Sequence, residues 1–351
     1  MSVAHGSVTD RELAALGLER AAVLDLSSNL HPEGPDPRVL EAMRAADVGR
    51  YPDPDAEPLR TALARLEGLG ADEVLVTPGA TAAIHLVLRV MAKPGASCAL
   101  FPPTFGEYEA AARLAGAAIR EQPSEGPAFK LPDRVAPASI GVLCNPNNPT
   151  GVYLTRSEVE RVVDELGGVL VLDVAYDAFV EEPWDADQLH RDGWPVVVIH
   201  SVTKLHAIPG LRLGYVTGAP EVIARLAAAQ PSWSVGAPAV AAGLAAVEVD
   251  AERRLATREA RCAVSALRGT LEAVGVSCAP SRANFLLAEV GDGAAVRSAL
   301  IAAAGIVVRD CASFGLPGWI RVAAPPAAEI GRVSRALVSA VTTRRSAGAA
   351  S

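Results

Sequence analysis

Cysteine is scarce and scattered in this chain of 351 residues: Cys98, Cys144, Cys262, Cys278 and Cys311 show no C-x-x-C spacing and have no histidine pair nearby. An odd, dispersed set excludes a disulfide framework and a structural zinc site, and it fits buried thiols in a reducing cytoplasm. Long apolar runs are missing too, and none reaches membrane-spanning length. The opening MSVAHGSVTDRE has no basic segment followed by an apolar one, so no signal peptide is expected. Positive charge is in deficit. Lys and Arg number 32 against 40 Asp and Glu, a net charge of -8, and the arginines are scattered among acidic residues. That leaves no basic stripe for nucleic acid. No G-x-G-x-x-G follows an early strand, which excludes a nicotinamide dehydrogenase of the usual kind. There is no internal repeat, and only the Ala/Ser-rich tail, 344–351, reads as frayed.

What is present is ordinary globular composition, half apolar and 21% charged, in a length that suits about two domains. The chain is organised around residues 200–215, H-S-V-T-K-L-H-A-I-P-G-L-R-L-G-Y. A short β-branched run, 196–199, follows Pro195 and predicts a buried strand that delivers Lys204 to a sheet edge. Ser201 and Thr203 precede the lysine, and Arg212 follows across a turn containing Pro209 and Gly210. An amine nucleophile with hydroxyls and a guanidinium beside it suits an anchored phosphate next to that amine. The combination points to pyridoxal phosphate held on Lys204 as an internal aldimine. Alone, the string reads equally well as a solvated loop lysine and a strand arginine.

The other motifs lie at the ends of predicted strands. Residues 73–77 lead into P-G-A-T-A-A-I, where small residues before a helix at about 82–90 let the N-H groups of Ala80 and Thr81 approach an anion. Strand 98–101 ends in P-P-T-F-G-E-Y, placing Tyr108 to stack on a planar cofactor or to pack in the core. Strand 140–144 ends in N-P-N-N-P-T-G, whose prolines set the backbone and whose amides, Asn148 among them, are donors. Strand 169–172 is capped by Asp173, with Tyr176 three residues on. A carboxylate there is desolvated unless it meets a cation, and a protonated pyridine nitrogen is such a partner. Strand and helix signals alternate from about residue 70 to 230, which predicts a mostly parallel sheet covered by helices. Ligands of such sheets gather beyond the strands' carboxyl ends, where Tyr108, Asn148, Asp173 and Lys204 all fall. Helices are expected over 59–66, 221–229, 237–274 and 294–304, and strands over 281–287 and 319–322. Arg321, one charge amid apolar residues, is either a strand arginine with a packed stem or a bidentate clamp for a substrate carboxylate. The clamp is favoured. Residues 1–58 carry few regular elements and two turn-rich segments, S-S-N-L-H-P-E-G-P around Asn29 and R-Y-P-D-P around Tyr51, which read as pocket-framing arms or as surface loops.

Taken together, N-P-N-N-P-T-G, D-x-A-Y, S-x-x-K and G-L-R-x-G resemble, in order, the motifs of pyridoxal-phosphate enzymes of the aspartate-aminotransferase fold. The likeness is to the branch of histidinol-phosphate aminotransferase and threonine-phosphate decarboxylase, and it runs from Asp25 to about Leu337. It implies an α/β fold with a large domain over 59–245, a small domain over 246–343 joined by part of an arm over 1–58, and a homodimer. It implies that Lys204 is the Schiff-base lysine, that Asp173 pairs with the pyridine nitrogen, and that Asn148 and Tyr176 hold the ring hydroxyl. Tyr108 would stack on the ring. Ser201, Thr203, Arg212 and the amides near Ala80 and Thr81 would hold the phosphate, with Tyr51 reaching over from the partner subunit. Arg321 would bind the substrate carboxylate, assisted by Asn284 and Asn29. Val174 departs from the acidic residue common after the aspartate, and the helix start at 80–83 lacks the usual polar residue. The strings F-G-E-Y, T-K-L-H-A-I-P and S-W-S-V sit nearer the decarboxylase side. His31, His206 and Arg282 are candidates for the substrate side chain and read equally well as packing or surface residues.

The expected activity is transamination of a small amino acid or amine, with or without a phosphate. Decarboxylation of a phosphorylated amino acid, as in cobalamin side-chain synthesis, is the alternative, and a catalytically silent cofactor-binding module is the non-enzymatic one. Intact Lys204, Asp173, Arg212 and Arg321 speak against the silent module. No metal is called for.

Overall fold

A computed structural model describes the backbone of residues 8–348 and side chains to residue 343. In chain order, α1 (Asp10–Ala15), β1 (Leu24–Asp25), α2 (Pro37–Arg44) and α3 (Glu57–Glu67) come first. The arm is therefore more regular than its turn residues suggested. Asp36 accepts the N–H of Arg38 and Pro37 stands in the first turn of α2, a start signal for a short helix.

Strands and helices then alternate as β2 (Val74–Thr77), α4 (Ala80–Met91), β3 (Ser97–Leu100), α5 (Glu107–Leu114), β4 (Ala118–Glu121), β5 (Ile140–Cys144), α6 (Arg156–Leu166) and β6 (Val169–Asp173). Next come α7 (Gln188–Arg191), β7 (Val196–Ser201), α8 (Val202–Leu205), β8 (Gly214–Thr217) and α9 (Pro220–Ala229). The seven strands β2–β8 form one sheet in the order β2-β8-β7-β6-β5-β3-β4. Pairings are parallel from β7 through β4, and β8 runs antiparallel to both neighbours. The parallel interior follows from composition: β5, β6 and β7 are near-continuous apolar runs buried on both faces, as crossover helices require. β4 escapes a sequence reading because A-I-R-E is a polar, largely exposed edge strand.

One correction concerns the central motif. β7 is an interior strand, so Lys204 is not carried to a lateral edge. It follows the carboxyl end of β7 on the four-residue α8, at the place where an open α/β sheet binds ligands.

The chain continues through α10 (Ala237–Glu248) and α11 (Asp250–Glu272) to β9 (Phe285–Glu289), α12 (Gly293–Ala304), β10 (Ile306–Val307), β11 (Arg309–Asp310), β12 (Trp319–Ala323) and α13 (Ile330–Gly348). β11, β12 and β9 form an antiparallel sheet, and β10 pairs in parallel with β1. The first and last parts of the chain thus build one unit. The expected frayed tail, 344–351, is helical in backbone to Gly348, and its side chains and last three residues lie outside the described residues.

Apolar packing divides along these lines. One face of the large sheet buries Ile84, Val87, Val171 and Ile199 under α4, α5 and α9, and the other buries Leu143, Leu170, Leu172 and Val163 under α6. A further cluster joins Leu267, Phe285, Val322 and Leu337 to Leu26, Tyr176 and Phe179, so the C-terminal unit packs directly on the loop after β6. Among the described residues no helix is long and apolar enough to cross a membrane. Leu170, fully buried in β6, is central to the sheet, and Leu170→Ala is expected to cost about 2–5 kcal/mol. A lowered urea midpoint at unchanged slope in equilibrium unfolding checks this.

Candidate active site

The carboxyl ends of β3, β5, β6 and β7 open into a cavity of about 1310 Å³, roofed by the arm around Asn29 and by the C-terminal sheet. Asp173 is the last residue of β6 and only 4% exposed. Its Oδ1 accepts the N–H of Ala175 at 3.0 Å, and its Oδ2 accepts the hydroxyl of Tyr108 at 2.8 Å. Burial raises its pKa above the ordinary carboxylate range, and Tyr108, Ala175, Lys204 and His200 pull it back down. A carboxyl group whose folded pKa is raised contributes stability while protonated and loses it as pH rises. At neutral pH a cation in the cavity would relieve that cost.

Lys204 lines the same cavity, its Nζ 5.7 Å from the centre of the Tyr176 ring. The hydroxyl of Tyr176 accepts Asn29 Nδ2 at 3.2 Å, which turns its own proton away from the arm. The arm also reaches the lysine directly, His31 N–H donating to the Lys204 carbonyl at 3.0 Å.

A second corner is built for an anion. Helix α4 begins at Ala80 after Gly79, with no side chain capping its first turn. Its free N–H groups and positive dipole end face the cavity at Ala80 and Thr81, an arrangement that binds phosphate. Gly79 has φ 93°, and a Cβ there would lie 2.9 Å from Arg212 Nη2, so only glycine lets the guanidinium close over the helix start. Arg212 itself holds a left-handed backbone, φ 52°, a strained conformation of the sort found at ligand clamps. Ser201 completes this corner. Thr203 does not offer its hydroxyl as expected; it donates to the Leu213 carbonyl at 3.3 Å and braces the lysine turn against the Arg212 segment.

The third corner is cationic. Arg321 is buried, its Nη1 bonded to Asn148 Oδ1, its Nη2 to the Ser27 carbonyl at 2.7 Å, and its guanidinium over the Phe285 ring. Its register partner across β11 and β12 is Arg309, and directly opposed residues of an antiparallel pair share a face. Arg309 also lines the cavity and donates to Ser313 Oγ at 2.7 Å. Burial lowers the pKa of both arginines, and for Arg309 the Arg321 charge lowers it further. Two like charges held face to face in a cavity wall mark a place where a ligand's negative charge belongs.

Twelve of the fourteen expected site residues therefore line one cavity. Tyr51 does not: it is 83% exposed and packs on Trp233 at 5.2 Å. Asn284 stands one step behind, its Nδ2 holding the Leu30 carbonyl at 3.1 Å. His31, His206 and Arg282 do not line the cavity either. Tyr108 is 0% exposed, so it has no open face to lay over a ring and acts through Asp173. Phe105, half-buried and edge-on to Tyr108 at 5.6 Å, also lines the cavity. Phe105 and Arg309 were missed. Phe105 carried a signal in the same P-P-T-F-G-E-Y string, whereas Arg309, next to Asp310 after an apolar run, reads as an ordinary charged pair.

Among known proteins, a family model described as aminotransferase class I and II matches residues 21–337. The chain belongs to that family. It is accordingly a pyridoxal-phosphate-dependent aminotransferase that acts on an amino-acid-like small molecule. The histidinol-phosphate aminotransferase of Symbiobacterium thermophilum is 36% identical over 312 residues, 86% of this chain and 85% of that one. That of Paramagnetospirillum magneticum is 33% identical over 325 residues, 89% of each. Among solved structures, L-threonine-O-3-phosphate decarboxylase from Porphyromonas gingivalis superposes with a TM-score of 0.81 at 26% identity, covering 90% of this chain and 99% of that one. The histidinol-phosphate aminotransferase of Sinorhizobium meliloti, solved with pyridoxal 5'-phosphate, shares the fold with a TM-score of 0.84 at 21% identity, over 96% and 95% of the two chains.

The fit of this cofactor rests on the cavity itself: a buried carboxylate in need of a cation, and an uncapped helix start under an arginine. Tyr108→Phe should raise the Asp173 pKa further, because it removes a hydrogen bond that stabilises the ionised form. The low-pH limb of pyridoxal phosphate binding is then expected to move to higher pH. Titrating affinity against pH in both proteins checks the direction.

Proposed function

We propose that this chain transfers the amino group of a phosphate-bearing amino compound, with Lys204 as the cofactor-bearing amine. The observation that carries the reading is the opposed pair Arg309 and Arg321 lining the same cavity as Lys204 and Asp173. The histidinol-phosphate aminotransferases among its relatives support the phosphate.

In this reading Asp173 would keep the pyridine nitrogen protonated, Asn148 and Tyr176 would hold the ring hydroxyl, and Phe105 would pack against the ring. Ser201, Arg212 and the N–H groups of Ala80 and Thr81 hold the cofactor phosphate. The cofactor, when bound, lowers the cost of breaking a bond at the substrate α-carbon. The residues around it choose which bond. Arg309 and Arg321 anchor the far, anionic end of the substrate and fix its angle. Lys204 would carry the cofactor and, once freed by the substrate amine, would be the base that moves the α-proton; water would then release the oxo product and a 2-oxo acid would accept the amino group. Asn29 and Asn284 keep the arm closed over the reacting atoms. Tyr51, exposed beside Trp233, is assigned to the site of the partner subunit in a homodimer, and the reducing cytoplasm is the place of action.

Decarboxylation of a phosphorylated amino acid is the second reading, favoured by the 26% identical decarboxylase structure. It requires the substrate carboxylate upright to the ring with the phosphate still on the arginine pair. Screening histidinol phosphate and O-phosphothreonine, with a 2-oxo acid as acceptor, separates the two. Oxo-product with amino transfer is expected, and carbon dioxide without transfer would reverse the order. Lys204→Ala should abolish turnover with circular dichroism unchanged, and borohydride should fix the cofactor to the peptide containing residue 204. Arg309→Ala should lower kcat/KM for the phosphorylated substrate roughly 10- to 100-fold, as loss of a charge-assisted hydrogen bond does, and spare an unphosphorylated analogue.

A further inference from the structure

Behind the cavity wall, on strand β7, His200 has no role in the reaction described above beyond helping to lower the Asp173 pKa. It is the residue before Ser201, and its register partner across β7 and β8 is Tyr215. The two rings stack face to face, centroids 4.4 Å apart and planes 2° from parallel. His200 Nε2 lies 3.3 Å from Asp187 Oδ1 and 3.2 Å from Thr217 Oγ1, and Thr217 donates to the same carboxylate oxygen. Glu67, at the end of α3, takes the Tyr215 hydroxyl. All four of His200, Asp187, Thr217 and Tyr215 are buried.

The next pair along the ladder is Ser201 with Gly214. Gly214 is in close contact with the helix start: a Cβ there would lie 2.8 Å from Ala80 N. One register step therefore separates the stacked rings from the corner that holds the phosphate. A slip or twist of β8 against β7 would move Ser201, Ala80 and the Arg212 turn together.

We propose that His200, as an imidazolium clamped between Asp187 and Tyr215, is a positioning residue that locks the β7–β8 register and so holds the phosphate corner of the cofactor site in shape. The proposal rests on the reading that this corner binds the cofactor phosphate. The groups facing His200 are mostly acids: Asp187 before α7, Glu67 on α3 and Asp177 after β6, with Arg254 on α11 as the opposing cation. Asp250 and Arg254 share with it a small cavity of about 30 Å³, and His190 lies 3.8 Å from Asp187. Burial pushes His200 down, but Asp187, Glu67 and Asp177 outweigh it and bring it up to about 9. The imidazolium contribution is thus present through neutral pH and lost as pH rises through about 9.

The test compares affinities of the full chain, stripped of cofactor, for pyridoxal phosphate and for pyridoxal, which has no phosphate. Titrations of the amine and the ring affect both ligands and cancel in the ratio. In the wild type the ratio should fall as pH passes about 9. In His200→Gln it should be lower by roughly tenfold at neutral pH, the size of a lost charged hydrogen bond, and flat with pH. His200→Arg, which keeps the charge, should restore it. A wild-type ratio in His200→Gln, with only the melting temperature lowered, would overturn the proposal, since the rings would then be packing alone. If that variant does not fold, the wild-type ratio decides, and a flat profile refutes. A wild-type chain that binds neither ligand is the separate failure of the cofactor reading, and this proposal falls with it.

Discussion

A carboxylate at the end of an interior strand is the constraint around which the site is arranged. β6 is buried on both faces, so Asp173 emerges from a wholly apolar run into a place where water cannot solvate it. An isolated charge in such a place is costly, and the protein meets the cost with oriented donors. Tyr108 gives its hydroxyl and Ala175 its N–H, leaving the carboxylate directed at the cavity. The neighbours of Asp173 in the sheet then supply the rest. β5 brings the amides after Cys144, and β7 brings Ser201 and Lys204, because parallel register places the ends of adjacent strands side by side.

The arm converts this open sheet end into an enclosed site. β1 pairs with β10, and Ala323 N–H donates to the Leu26 carbonyl, so residues 24–26 belong to the C-terminal unit. A few residues later the same strand of chain touches the large sheet, where Asn29 meets Tyr176 and His31 meets the Lys204 carbonyl. Arg321 reaches across to Asn148 and to the Ser27 carbonyl. The residues proposed for substrate and for cofactor are therefore tied by the same few hydrogen bonds. The C-terminal unit is thereby hydrogen-bonded, through Ser27 and Asn29, to the residues around the lysine.

The large sheet was legible in sequence because its strands are buried on both faces, and the apolar runs ending in Cys144, Asp173 and Ser201 announce themselves without any period. Site residues at those ends came with them. The rest was hidden for particular reasons. Arg309 sits on a two-residue strand, too short for a pattern, and its importance lies in being opposite Arg321, which only register reveals. Tyr108 lies in the first turn of α5 and Phe105 in the loop just before it, and burial leaves Phe105 the more exposed of the two. Thr203 looked like a phosphate ligand because of its neighbours, whereas its hydroxyl is needed by the carbonyl of a residue ten positions on. His200 opens the 200–215 stretch with no role read from it, and its acid partners come from α3, the segment before α7 and the loop after β6, which nothing local connects.

The charge arrangement also argues for the kind of substrate. Arg321 has both terminal nitrogens engaged by Asn148 and Ser27, and its Nε remains unpartnered and buried. Asp25 reaches the same cavity and its charge supports Arg321, while its Oδ1 also accepts the N–H and hydroxyl of Ser27. A carboxylate brings one negative charge to two opposed guanidiniums and leaves one of them repelled. A phosphate brings nearly two, with three acceptor oxygens that can be shared between planar forks. Burial of both arginines makes the difference larger than it would be at the surface, since the interaction is less screened there. Strand register, set by the apolar residues on either side of Arg309 and Arg321, thereby fixes the spacing of the two cations on which the proposed preference for a dianion rests.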